Sequence, residues 1–295
     1  MKSTKEELEI LQDLQENTIG PNEPNVATTD ENLSVLEMFQ QAGLPSLGRQ
    51  IFPVIPMHGP TAALFNLRRK PGTNDFELLR NEVEVFPSEM IHTGLTQEVI
   101  QDIRAQYGRH SDLIIGRLLR GLANEQEDTK VIAFLDAESS AEPNLVLSEP
   151  TNSEMNLFEI GQRVNELILK ANNTDRRTYK AFCVLPYKSG AAVAALGKWV
   201  GAEEGDARGN FITEINQVRY YLNPDVTATT AYVGLRDVTN PSRSSAVFSP
   251  YVSDIVQAIN PDTGDHTYTI YNRFAVTASP LHVTGNEMLF KFTIV

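Results

Sequence analysis

Residues 93–136 read TGLTQEVIQDIRAQYGRHSDLIIGRLLRGLANEQEDTKVIAFLD. The pattern predicts a short helix, a tight break at Tyr107-Gly108-Arg109-His110, and then one long helix. Thr96 is placed to cap the first segment, because a hydroxyl there accepts from the orphan N–H groups of the opening turn, and Gln97 and Glu98 suit that end of the helix dipole. Gly108 supplies the stop, since the residue past a helix end commonly takes positive φ. Ser111 caps the second helix, and no proline interrupts the chain before Pro143. Roughly 25 residues at about 1.5 Å each make a rod on the order of 40 Å. Ile114, Leu118 and Leu122 recur every four residues with Ile115, Leu119 and Ala123 beside them, and Val131, Ile132 and Leu135 resume the stripe. The polar run 124–130 between them predicts a wet interval in one broad apolar face.

With 295 residues, 41% of them apolar, the chain can build one large domain or two modest ones. Its 38 acidic and 25 basic residues give a net charge of −13. That balance weighs against a protein whose main task is gripping phosphates, but not against a container along whose wall nucleic acid slides. Cys183 is the only cysteine, so no intramolecular disulfide forms, and its place in the apolar run 181–185 marks a buried thiol. No run approaches the roughly 18 to 20 apolar residues of a membrane span, and the start, MKSTKEELEILQDLQEN, lacks the apolar core of a signal peptide.

Residues 1–50 read as an arm that orders by lying on something else. Leu8, Leu11 and Leu14 predict a short amphipathic helix, which the Gly/Pro-rich run 20–25 cannot continue, and a second helical pattern over 33–42 stops at Gly43. The run 51–67 holds three prolines among β-branched and aromatic residues and is expected to be extended. Arg68-Arg69-Lys70 then enters the dense turn signal 71–75, and residues 76–86 end in the alternation Glu82-Val83-Glu84-Val85. The two limbs make a hairpin, one basic and one acidic. Two readings of that charge split stand side by side: ion pairs across the hairpin itself, or pairing with a neighbouring subunit through Arg68, Arg69, Lys70, Glu77, Glu82 and Glu84.

Beyond the long helix come a polar loop (137–153), a helix (156–171), a strand (181–185), a small-residue helix (189–196), a Gly-rich loop (201–209), and strands at 217–222 and 231–235. Alternation of strand and helix there argues an α/β layer. The closing third, 245–295, is rich in strand formers and ends on a strand. Chemistry is not advertised. His58, His92, His110, His266 and His282 form no helical metal pair, and the loop 201–209 lacks a phosphate-cradle ending and carries three acids. No GxSxG elbow precedes the 189–196 helix, and no nucleophile stands beside an obvious base. No catalytic, cofactor-binding or metal-ligating set is assigned.

Four pieces, in order, resemble the major capsid proteins of tailed phages, most closely the contractile-tailed, T-even-like type. PMHGPT (56–61) with FNLR (65–68) resembles the family's P-x-x-GPTG-x-x-F-x-L/M-R run, and QDIRAQYG (101–108) is similar to its QDLRAxHG before the long spine helix. GNFI (209–212) resembles a GNFII segment. VFSPYV (247–252), IYNRFAV (270–276) and SPL (279–281) are similar to the YYxPYV, FKTRYGI and NPF series. The T-even type also carries an inserted domain, for which the roughly 25 residues between Arg69 and Gly94 leave no room. Leu14-Gln15-Glu16 is a partial match to the signal after which such precursors are trimmed.

The resemblance implies an α+β, Hong Kong 97-like phage capsid fold. Its parts would be an N-terminal arm (1–50), an extended strand and hairpin loop (51–93), a peripheral domain with the spine helix (94–140), an α/β axial domain (141–270) and C-terminal strands returning to the peripheral domain (271–295). It implies a homo-oligomer of hexamers and pentamers closing into an icosahedral shell around double-stranded DNA held without sequence preference. Portal, scaffold and decoration proteins are the further partners it implies, with no membrane, no cofactor and no enzymatic activity. Its location would be the virion, assembled in the host cytoplasm. An encapsulin-like nanocompartment is the nearest alternative, and an α/β enzyme with an unrecognised site the second.

Overall fold

The long helix forms, and the residue expected to mark its wet interval turns out to be its most enclosed charge. A computed structural model describes residues 46–69, 75–87, 89–95, 98, 101, 105, 111–148, 153–175, 180–186, 211–215, 217–226, 229–237, 240, 243–259, 266–283 and 287–295. Labels below number the described elements. α1 is Leu47–Ile51, β1 Thr61–Arg69, β2 Phe76–Glu84, β3 Glu89–Leu95, α2 Ser111–Glu138, β4 Ser140–Ala141 and α3 Ser153–Asp175. β5 is Lys180–Leu185, β6 Phe211–Ile215, β7 Val218–Leu222, β8 Thr230–Arg236, β9 Ala246–Ile259, β10 His266–Ala278, α4 Pro280–Val283 and β11 Leu289–Thr293.

α2 runs for 28 residues without a break. Ser111 is its first helical residue rather than its cap. The buried positions are Leu119, Ala123, Glu127, Val131 and Leu135, every fourth residue, with Ile132 alongside. A four-residue step overshoots a 3.6-residue turn by about 40°, so over this length the stripe winds nearly half-way round the helix. One helix can therefore serve two sheets. Leu122, expected on the apolar face, is 38% exposed, and the side chains of Ile114, Ile115 and Leu118 lie outside the described residues.

The expected wet interval is corrected by Glu127, which is 1% exposed. Its carboxylate accepts two bonds from Arg49, Nε at 3.0 Å and Nη2 at 2.8 Å, one from Asn272 Nδ2 at 3.1 Å, and one from the Ser46 hydroxyl. The neighbouring Asp128 accepts the Leu47 N–H at 2.6 Å, satisfying an orphan donor at the start of α1. A polar run reads as wet unless its charges find partners, and these partners come from 78 to 145 residues away. The pairing with Glu127 also raises the pKa of Arg49, keeping the clamp charged.

Residues 47–52 lie in the core, on the last stretch of the expected arm. Leu47, Ile51 and Phe52 are fully buried, and the Phe52 ring meets Phe134 and Phe182 edge-on at 6.1 and 5.5 Å. Gly48 has to be glycine there: a Cβ would stand 2.7 Å from Val131 and 2.8 Å from Phe248. Beyond Phe52 the chain is extended as expected, bonding to β9 through Phe248 N–H to Pro53 O, Ile55 N–H to Phe248 O and Met57 N–H to Pro250 O.

The six-stranded sheet has the order β4-β11-β8-β5-β7-β6 and is mixed, with β5–β7 and β4–β11 parallel. β5 explains its own sequence. Ala181, Cys183 and Leu185 join the core under α3, with Ile160, Val164, Leu167 and Ala171, while Phe182 and Val184 join the core under α1 and α2. A strand covered on both faces reads as a continuous apolar run. Gly234 on β8 lies opposite Phe182 and Leu289, where a Cβ would meet the Phe182 ring at 2.3 Å. β11 pairs with β8, and its Lys291 holds Asp136 near the end of α2 at 2.9 Å.

The second sheet, β3-β10-β9, lies against α2 through Asn272. Its β9–β10 register shifts beside Pro250, which has no N–H to donate, and Arg273 stacks over the Tyr251 ring at 5.4 Å. β3, β6 and the two-residue β4, which falls in the expected polar loop 137–153, are strands that the sequence pattern does not announce. The 189–196 helix and the 201–209 loop lie outside the described residues, as does the 96–108 segment apart from Glu98, Gln101 and Ala105, which are helical and exposed.

Replacing Glu127 by Ala is expected to destabilise the chain by about 2–4 kcal/mol, since it strands Arg49, Ser46 and Asn272. Gly234→Ala is expected to cost at least about 3 kcal/mol through overpacking. Urea unfolding midpoints check both; a Glu127→Ala midpoint equal to wild type would show that the clamp is ornamental.

Candidate assembly surface

β1 and β2 form a two-stranded antiparallel hairpin with the register Thr61↔Glu84 through Arg69↔Phe76. Residues directly opposite share a face, so the two-residue period sorts the hairpin cleanly. Leu64, Asn66, Leu79 and Val83 face inward. Leu64 and Val83 pack with Met57, Val85, Val247 and Ala275, and Leu79 rests against the core under α3. Asn81 Nδ2 donates to Ala278 O at 2.8 Å, and Phe86 N–H to Phe274 O. The hairpin is thus seated on its own subunit by one face.

The other face is uncovered. Phe65, Leu67, Phe76 and Leu78 are 51–69% exposed and lie together, with Leu67 opposite Leu78, and Phe65 and Phe76 flanking them. Further exposed apolar residues lie on α3, where Phe158 and Leu169 line a groove together with Ile215, Val218 and Tyr220.

The six charged hairpin residues divide. Arg68 and Glu77 pair across the strands at 2.6 Å, both partly buried, which realises the within-hairpin reading for that pair. Glu82 pairs with Arg80 two residues away at 3.1 Å, both well exposed. Glu84 is exposed opposite Thr61. The Arg69 side chain and Lys70 lie outside the described residues. Magnitudes rank the faces. Covering four half-exposed apolar side chains is worth on the order of 5 kcal/mol, whereas an exposed ion pair contributes under about 1 kcal/mol. The apolar face, which the sequence reading did not single out, therefore carries the larger drive for association. Its signal was the two-residue spacing of Phe65 with Leu67 and of Phe76 with Leu78.

The fold has solved counterparts. It is similar to a virus-like particle from Pyrococcus furiosus, with a TM-score of 0.56 and 10% identity over 88% of this chain and 96% of that one. It is similar to the mature capsid of bacteriophage PhiM1, at 0.51 and 10% over 85% and 87%, and to the holo-SrpI encapsulin complex from Synechococcus elongatus, at 0.53 and 12% over 83% and 85%. This is a capsid-like fold. No family model matches the sequence, and no curated protein sequence matches it. At these identities the likeness is one of fold, and it extends to phage capsids and encapsulins alike. The capsid-like frame sets the hairpin on the flank of the three-stranded sheet and leaves its apolar face outward.

Nothing in the described residues assembles a competing chemical centre. No group of three or more His, Cys, Asp or Glu side chains converges on a metal-sized position among them, and none of their helices is long and apolar enough to cross a membrane. Cys183 is fully buried, and burial pushes its thiol well above the usual range, away from the reactive thiolate. A thiol reagent is expected to modify no cysteine in the native chain and one after unfolding; rapid native modification would show that the sheet opens at β5.

Proposed function

We propose that this chain is the structural subunit of a closed protein shell, in which copies meet through the apolar face of the β1–β2 hairpin. The observation that carries the reading is that face: four large side chains left in water on an element otherwise seated on a capsid-like body. Monomers rarely keep such a patch without a use for it. Glu82 and Glu84 lie on that same outward face and, with the neighbouring Arg69 and Lys70, would set the contact's orientation more than its strength, whereas Arg68 and Glu77 pair on the inner face.

In the finer form of the proposal, the subunits form hexamers and pentamers that close into the icosahedral head of a contractile-tailed phage around double-stranded DNA. The net charge of −13 suits a wall that does not hold its contents tightly. Residues 1–45 would act as an arm on neighbouring subunits, and portal, scaffold and decoration proteins would bind the finished shell. A second reading, a nanocompartment that encloses protein, is favoured by the encapsulin neighbour, which matches at a TM-score no lower than the phage capsid does.

Phe65→Glu combined with Leu78→Glu is expected to leave a folded subunit whose unfolding midpoint is close to wild type, while abolishing closed particles in negative-stain images. Particles of normal size from this variant would remove the hairpin from the contact, and a monodisperse wild-type monomer would remove the shell. Nuclease-sensitive nucleic acid inside purified particles selects the phage reading; co-purified protein cargo selects the nanocompartment.

A further inference from the structure

We propose that His282 is an acid-labile latch that ties the C-terminal end of α2 to the entry of β11. The ring stands between two backbone groups of opposite kind. Its Nδ1 lies 3.1 Å from the Met288 N–H, and its Nε2 lies 3.0 Å from the Glu138 carbonyl oxygen. The Met288 amide only donates and the Glu138 carbonyl only accepts, so the tautomer follows without choice: Nδ1 accepts, Nε2 carries the proton and donates. Both bonds exist together in the neutral ring alone.

Protonation adds a hydrogen at Nδ1, which then faces the Met288 N–H donor to donor. The Nε2 bond gains instead, because a cation beside the carbonyls of a helix end is favoured. The ring therefore keeps its grip on α2 and releases the strand. Met288 is a consequential place to let go: it is buried, its carbonyl accepts the Leu235 N–H at 3.2 Å, and the next residue opens the β11–β8 ladder.

The charged groups on the elements around the ring are Glu138 and Asp136 on α2, Lys291 on β11, Glu287 beside Met288, Lys170 on α3, and Arg68 and Glu77 on the inner face of the hairpin that packs against α4, themselves paired at 2.6 Å. Asp136 is paired with Lys291 at 2.9 Å and Glu287 with Lys170 at 2.8 Å. Of these residue types only histidine ordinarily changes charge between about pH 5 and 8. The strand-side bond needs an unprotonated Nδ1, so adding the proton removes it.

Amide hydrogen exchange on the full chain, corrected for the intrinsic pH dependence of exchange, reads this directly. Protection of the Met288 amide is expected to fall about fivefold to tenfold between pH 7.5 and 5.0, the consequence of losing one hydrogen bond, while the Phe292 and Ala231 amides of the same ladder keep theirs. In His282→Phe, which can neither accept nor titrate, Met288 protection is expected to be low and flat across pH. Constant Met288 protection in the wild type overturns the latch, as does a pH-dependent loss that survives in His282→Phe. Nitrogen chemical shifts placing the neutral ring's proton on Nδ1 overturn it as well. The subunit's own amides report the outcome whether or not shells form, so the test stands apart from the shell proposal.

Discussion

A single buried carboxylate joins the three parts of this molecule. Glu127 sits in the middle of the long helix, Arg49 and Ser46 come from the segment that leads into the hairpin, and Asn272 comes from the sheet behind. Moving an unpaired carboxylate out of water costs several kcal/mol, and here four bonds from three side chains offset that cost. Apolar side chains of the same volume would hold the segment at least as firmly. What the carboxylate adds is position. The buried residues of α2 repeat every four, so an apolar-only contact would look much the same after α1 slid by one turn. One acid in the series, met by one arginine whose guanidinium also lies over Phe248 at 5.2 Å, leaves a single seating.

That constraint was hidden in the sequence for a physical reason. Glu127 stands in the run NEQEDTK, which is what an exposed helix face looks like, and its partners are far away along the chain. Local features were legible because their causes are local. The Pro-Gly turn at 71–72 announced the hairpin, the four-residue repeat announced α2, and the unbroken apolar run at 181–185 announced a strand covered on both sides. Three short strands went unread: β4 has two residues, β6 five and β3 seven, too few for a period to declare itself. The hairpin showed a third kind of limit. Its alternation was visible, but both faces carry large apolar residues, and no pattern along one chain says which of them stays wet.

The same hairpin shows why charge is the wrong place to look for the strength of a contact. Part of the charge on its limbs is an internal matter, since Arg68 and Glu77 already neutralise one another. A pair satisfied within the subunit gains little from a second partner, whereas an exposed phenylalanine has everything still to gain. On the proposed reading, a shell subunit would need contacts strong enough in sum and weak enough singly to correct errors during closure, and a small apolar face flanked by charges would answer both demands.

The mounting of that face matters as much as its composition. The hairpin's inner side rests beside α4, through Asn81 on the Ala278 carbonyl just before it, and α4 carries His282, which reaches the end of α2. Phe86 extends the seat by bonding to Phe274 and meeting its ring at 5.3 Å, while Phe274 stacks on Phe248 in the core that α1 completes. A face mounted on loops would lose binding energy to ordering each time it met a partner. Here the outward residues are held by a two-stranded ladder backed on one side by the core. The rigidity traces back to Glu127, because the segment it pins is the one from which the hairpin departs.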